Sequence, residues 1–384
     1  MPFRRGSTFQ PQETMDEIEL CWCGSGQTWG KCHRERALGK PLPIQVFLNR
    51  ITAEQAKGQC SHPDASSSAC SGGTVAAHTL QKEGGLRAIS EDGHVTWVKK
   101  GAAAIARSNG KIVPVREGIG RATTFPGFCQ IHDATFAPAE QASVPLAAQA
   151  AFLLAYRTVA YERFLKEADL RAVLASRLDL DRGHPFVEQA RIQRYLFDHR
   201  QQTEAGLRDC KQIQSNFNVV YRDPSFTGFS YLIVEFDQVL PVVASGAFFP
   251  EFDLVGKRLQ LLDAVGQLEV LTFNLAVLNG RSILALGWLS GGKAPEAFAA
   301  SLSALPDDEK ANAAVRIALE WIENTCMTPT WWAAQPAAVT ETLLASMKSL
   351  AAPPVCRRGA DGRCLDGVEV VSAGVLQTIG PVNC

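Results

Sequence analysis

The stretch Glu269–Leu289, EVLTFNLAVLNGRSILALGWL, places two apolar runs of strand length on either side of Asn279-Gly280. An Asn-Gly pair between such runs favours the two-residue hairpin turn, whose central residues both take positive φ. The stretch therefore predicts antiparallel strands at 269–278 and 282–289. Upstream, Tyr231–Phe236 and Val239–Phe248 read as two more strands. Helical patterns flank this block. Residues 145–178 repeat apolar positions at Phe152, Tyr156, Val159 and Leu165, and 185–213 begin with Pro185 as a first-turn proline. Further helices are expected at 295–304, 308–325 and 336–350. Strands bracketed by helices predict an α+β domain with an antiparallel sheet over 145–350. Residues 351–384 open near Pro353-Pro354 and read as a flexible tail. Its Cys356, Cys364 and Cys384 offer at most a weak third metal site.

The whole chain has 384 residues, 46% hydrophobic and 20% charged, with a net charge of −1. That composition suits a globular protein with a core of its own, and the charge argues against coating nucleic acid or membrane with the entire surface. The longest near-continuous apolar run, Val239 to Phe249, is about half the ~20 residues that a spanning helix needs. The amino terminus has Arg4 and Arg5 with no apolar segment behind them, so it does not read as a secretory signal. Eleven cysteines are an odd number for a disulfide framework, and without an export signal metal ligation accounts for them better. The expected setting is the cytoplasm of a bacterium.

Charge and ligand candidates crowd into one third. Residues 21–132 hold 14 Lys+Arg against 7 Asp+Glu, a local charge of +7, together with six cysteines and five histidines. Residues 1–20 read as a flexible lead-in. A compact module at 21–40 follows, closed off by Pro41 and Pro43, and then a short helix at 44–57. Within 44–140, the part from Cys60 to Asp133 is rich in Gly and Ser, with short β-like pieces at Val95–Lys99 and Lys111–Val115. A small module of that kind has little core, and a metal would supply the missing stability.

The sharpest motif is Cys21-Trp-Cys23-Gly-Ser-Gly-Gln-Thr-Trp-Gly-Lys-Cys32-His33. Three thiolates and an imidazole complete a tetrahedral set for Zn2+, and four protein ligands leave no open position, which marks a structural site. Gly24 and Gly26 let the chain turn tightly enough for Cys21 and Cys23 to face one ion. Over Cys21, Cys23, Gly24, Ser25, Gly26, Cys32 and His33 the chain resembles the SEC-C motif, the zinc module at the carboxy terminus of the SecA translocation ATPase and in many other bacterial proteins. The resemblance covers about 15 residues of 384. It implies zinc and docking onto a protein partner or the ribosome.

A second set of candidates comprises Cys60, His62, Cys70, His78, His94, Cys129 and His132. Cys129-x-x-His132 has the spacing of two ligands on one turn, and Cys60 with Cys70 can supply the other half, so the expected metal set is Cys60, Cys70, Cys129 and His132. A histidine after a cysteine pair, with Cys-x-x-His later, resembles HNH-type nucleases on a treble-clef zinc scaffold. That resemblance implies His78 as catalytic general base beside a phosphate-stabilising metal. The chain departs from that pattern in lacking the central asparagine. His78 as a structural histidine, or as a ligand in place of His132, stays open at this level.

Two function classes follow. The favoured one is a zinc-binding protein that engages nucleic acid, the ribosome or a protein partner through its basic third. Lys82, Arg87, Lys99, Lys100, Arg107 and Lys111 would contact phosphates there. The competing class is an HNH-like metal-dependent nuclease in stress or phage defence, and a structural adaptor for protein partners is the third. No nucleotide-binding, hydrolase or kinase motif is present to point elsewhere.

Overall fold

The computed structural model describes residues 9–98, 112–142, 146–262, 266–348 and 369–383. In chain order its elements begin with α1 (Trp29–Cys32), α2 (Ile44–Gln55), β1 (Thr74–His78), β2 (His94–Val98), β3 (Pro114–Gly118), β4 (Thr124–Cys129) and α3 (Gln130–Asp133). Two long helices come next, α4 (Ala148–Asp179) and α5 (Phe186–Tyr221). Then follow β5 (Phe229–Phe236), β6 (Val242–Phe248), β7 (Leu271–Leu278) and β8 (Arg281–Leu289). Further along come α6 (Lys293–Ser303), α7 (Asp307–Trp321), β9 (Thr325–Met327), a short helix at Pro329–Ala334, α8 (Ala337–Lys348) and β10 (Val375–Asn383).

The hairpin expected from Asn279-Gly280 is present. Asn279 has φ 50° and Gly280 φ 77°, and Leu278 pairs with Arg281 across the turn. Positive φ at both central residues matches the right-handed twist of the flanking strands, which is why this pair closes so short a loop. From that hairpin an eight-stranded sheet extends both ways, in the order β10-β5-β8-β7-β6-β9-β2-β3, with each neighbouring pair antiparallel. Against one face lie α6, α7 and α8, where Phe298, Leu302, Val315, Ala318 and Leu343 meet Leu232, Phe273, Leu286 and Trp288. The opposite face receives the first half of α4 and the end of α5. Thr158 reaches Ser245 at 3.0 Å and Asn274 at 3.1 Å, and Phe152 and Phe217 pack around Phe229. Burial of both faces explains why β5 and β7 are buried at every residue instead of alternating. The class is α+β.

Two compact units make up the chain, and each is discontinuous in sequence. The first combines residues 1–58 with 165–208, and the second combines 59–164 with 209–384. These units do not coincide with the consecutive division into 21–40, 44–140 and 145–350. The reason is the length of α4 and α5, each of which contributes one stretch to either unit.

Three local expectations are corrected. The strands expected inside a separate zinc module belong to the large sheet. Thr96 and Trp97 of β2 pair with Met327 and Cys326 of β9, a three-residue strand that also pairs with β6. Part of the expected tail is a strand too, since β10 lines up along β5 with Thr378 opposite Val234 and Ile379 opposite Ile233. Cys356, Cys364 and Cys384 lie outside the described residues. The end of the expected lead-in is ordered by its neighbours. Trp29 N donates to Glu19 O at 2.8 Å, Leu20 bridges Thr28, and the Phe9 ring meets Trp22 edge-on at 5.6 Å. No helix among the described residues is long and apolar enough to cross a membrane.

Candidate metal centres

The first cluster belongs to the first unit. Cys21 N donates to Gln27 O at 2.9 Å and Gly24 N to Cys21 O at 3.0 Å, closing a tight loop. Gly24 and Gly26 take φ of 70° and 79°, a left-handed conformation that side chains disfavour. The loop returns through α1, which ends by presenting Cys32 and His33. The donor atoms of Cys21, Cys23, Cys32 and His33 all lie within 4.8 Å of one another. His33 Nδ1 is 3.2 Å from the Sγ of Cys21 and of Cys32, and the Sγ atoms of Cys23 and Cys32 are 3.6 Å apart. A tetrahedral zinc ion, about 2.3 Å from sulfur and about 2.0 Å from nitrogen, spaces its ligands about 3.5–3.8 Å apart. The observed edges are within a few tenths of an ångström of that.

Charge is arranged around this cluster by the ends of α4 and α5. His33 Nε2 donates to Asp181 Oδ2 at 2.9 Å, and Asp181 is fully buried. Asp181 also accepts from Arg36 Nε at 2.6 Å and from Gln193 Nε2 at 2.9 Å. Burial opposes protonation of His33, but the hydrogen bonds with Asp181 and the thiols prevail and push it up to about 10. Burial likewise opposes ionisation of Asp181, and the His33 hydrogen bond with the Arg36 charge holds it below the usual carboxylate range. Hydrogen bonding with Cys23 raises the Cys21 thiol, and the reciprocal bond lowers that of Cys23. Asp181 and Gln193 carry no sequence signal for this role, because 148 positions separate His33 from Asp181.

The second cluster, in the second unit, is assembled from distant residues. The register of β1 with β4 places Thr74 opposite Cys129, so Cys70, four residues before Thr74, arrives beside the start of α3. That pairing closes the 58-residue gap between Cys70 and Cys129. Ser61 fixes the approach of Cys60: its N donates to Gly127 O at 2.8 Å, while its carbonyl accepts from Tyr156 Oη at 3.0 Å and Gln214 Nε2 at 2.8 Å. His132 Nδ1 then stands 3.3 Å from Cys60 Sγ, 3.7 Å from Cys70 Sγ and 3.3 Å from Cys129 Sγ. These four donor atoms also lie within 4.8 Å of one another. Burial pushes the Cys60 thiol up to about 11, a cost that a bound cation would offset.

The other histidines are placed elsewhere. His62 stacks on His132 with ring centroids 4.0 Å apart and planes 7° from parallel. Its Nδ1 accepts from Asp64 N at 3.2 Å and its Nε2 donates to Tyr221 Oη at 2.9 Å, so neither nitrogen is left for an ion. Burial, aided by His132, lowers it to about 4 and keeps it neutral. His78, at the end of β1, donates from Nε2 to Ile119 O at 3.0 Å. Burial lowers its pKa, partly countered by that bond. His94 lies at the start of β2 with Nδ1 2.7 Å from Asp92 O. Neither joins the cluster. Lys82 and Arg87 both pair with Glu83, and Lys99, Lys100, Arg107 and Lys111 lie outside the described residues. The eight described cysteines are all free of disulfides.

Residues 19–35 match the SEC-C motif. No curated protein and no solved structure matches the chain. The motif and the two Cys/His clusters fit a zinc-binding protein.

Proposed function

We propose that the chain is a cytoplasmic protein with two structural zinc centres, Cys21/Cys23/Cys32/His33 and Cys60/Cys70/Cys129/His132, whose basic amino-terminal third binds nucleic acid, ribosomal RNA included. The observation that carries this reading is that each cluster gathers four protein donors and so leaves an ion no open position for chemistry. The +7 charge of residues 21–132, reduced by one negative charge at each three-thiolate zinc centre, supplies the attraction for phosphate. The ion pair of Arg87 with Glu83 is exposed on both sides, and such pairs contribute about 0–1 kcal/mol. A phosphate can therefore displace the carboxylate at little cost. Free thiols agree with a reducing compartment.

One observation favours an HNH-like nuclease as the second reading. The Ile119 carbonyl fixes the His78 tautomer with the proton on Nε2, which leaves Nδ1 as an acceptor on a neutral ring. That is the state a general base requires. A single set of measurements separates the readings. Purified full-length protein should carry two zinc ions by elemental analysis and bind RNA with an affinity that falls steeply with salt, at a log–log slope of about −3 for about four phosphates. It should leave DNA and RNA uncut in Mg2+ or Mn2+. Cleavage abolished by His78→Ala at unchanged zinc content would establish the nuclease instead. Salt-insensitive binding, or none at low salt, would refute nucleic-acid recognition and favour a protein partner of the SEC-C motif.

A further inference from the structure

We propose that the ion at Cys21, Cys23, Cys32 and His33 fastens the amino-terminal module onto the hairpin of α4 and α5, with Asp181 positioning His33 and Arg177 balancing the thiolate charge. This rests on the zinc reading above and makes the module an internal clasp.

The geometry carries it from three sides. Asp181, in the turn after α4, accepts a hydrogen bond from His33 Nε2, which turns Nδ1 toward the three sulfurs. A ligating histidine buttressed by a carboxylate keeps its ring orientation and gains basicity. The carboxylate is itself held by Arg36 and Gln193, and both of these also donate to Arg177 O at 2.9 Å. Arg177 lies on the other side. It is 3% exposed, and its Nε and Nη2 have no hydrogen-bond partner among the described residues. The guanidinium rests against the Cys23–Gly24 turn, where a Cβ on Gly24 would come within 3.2 Å of Nη2. Cys23, Cys32 and Glu204 attract its charge, and Arg200 opposes them. A buried guanidinium with two of its three nitrogens unbonded is costly unless an anion faces it. Three thiolates and a divalent ion with a neutral imidazole sum to −1, and Arg177 returns that to zero. The third side is apolar and close. Trp22 lies over His33 at 4.5 Å and meets Phe186 of α5 at 6.1 Å, while Gly183 N donates to Arg36 O at 3.0 Å.

The test is zinc transfer from the full-length protein to a colorimetric chelator, with Cys32→Ser identifying the phase that belongs to the first centre. Asp181→Ala should speed that phase about 10–100-fold. The second centre in the same molecule should keep its rate, and Asp181→Asn should recover part of the loss because its amide oxygen still accepts the His33 proton. Arg177→Met leaves Asp181 in place and gives an independent reading. It should also hasten release from the first centre and shift the thiolate-to-metal absorption of the Co2+-substituted protein. Equal acceleration of both centres, or rates and spectrum unchanged in both variants, would overturn the clasp while leaving the zinc reading intact. Wild-type protein purified without zinc would overturn the zinc reading itself.

Discussion

The two clusters hold the same donors, three cysteines and a histidine, but they are built in opposite ways. Cys21 to His33 span 13 residues, and a local loop and one helical turn bring the donors together. Cys60 and His132 are 72 positions apart, and the second cluster exists only while β1 and β4 are paired in register. In the first, sequence supplies the donors and distant residues supply only the surroundings. In the second, the fold supplies the donors themselves. Loss of an ion should therefore be felt differently: as the loosening of one module in the first unit, and as the loss of a closure between chain segments in the second.

The largest effect expected from this contrast is that of Cys129→Ser. Cys129 is fully buried at the junction of β4 and α3, and its loss removes a donor that ties that junction to Cys60 and Cys70. Zinc should fall from two ions to one per chain. Thermal unfolding should shift down by several degrees, at roughly 2 °C for each kcal/mol lost in a unit of this size, because the ion's binding energy is folding energy. A variant that unfolds like wild type would show that strand pairing holds without the ion. Cys32→Ser should be milder. It too should cost one zinc ion, but hydrogen exchange should increase over residues 19–40 while amides of β5, β7 and β8 keep their protection. Exposure of those strands would erase the distinction between a local and a global centre.

The smallest effect concerns the helix pair of the first unit. His199 Nε2 on α5 lies 3.1–3.2 Å from the carboxylate of Asp169 on α4. That hydrogen bond raises the His199 pKa, and burial partly opposes it. A group raised on folding contributes stability that is fully present below its unfolded pKa of about 6.5 and is lost as pH rises through the higher folded value. Because the pair is a third exposed, the contribution should be only a few tenths of a kcal/mol. Denaturant midpoints measured from pH 6 to pH 9 should show a small decline that Asp169→Asn removes. An unchanged slope in that variant would locate the dependence elsewhere.

Much of the frame was legible from local chemistry. Asn279-Gly280 announced a hairpin because only residues tolerant of positive φ make that turn, and the strands at its sides followed from their apolar runs. Two long helices were visible, although α5 runs on to Tyr221, beyond the expected 213. The first cluster was legible because its spacing and glycines work within a dozen residues. Other features left no local trace. The three-residue β9 draws β2 and β3 into the large sheet, and β10 covers its far edge from within the expected tail.

Short-range geometry accounts for the hairpin, the helices, and the Cys-x-Cys-Gly-Ser-Gly loop that brings Cys21 and Cys23 to face the side chains of Cys32 and His33. Tertiary structure decided which distant groups meet. It set Asp181 against His33, laid Arg177 on the Cys23–Gly24 turn, brought Cys60 and Cys70 to Cys129, and stacked His62 on His132 instead of admitting it as a ligand. The physical reason is register. A one-residue slip in β1 against β4 would turn its side chains to the opposite face, and no property of an isolated cysteine or histidine encodes the partner that pairing brings within about 4 Å.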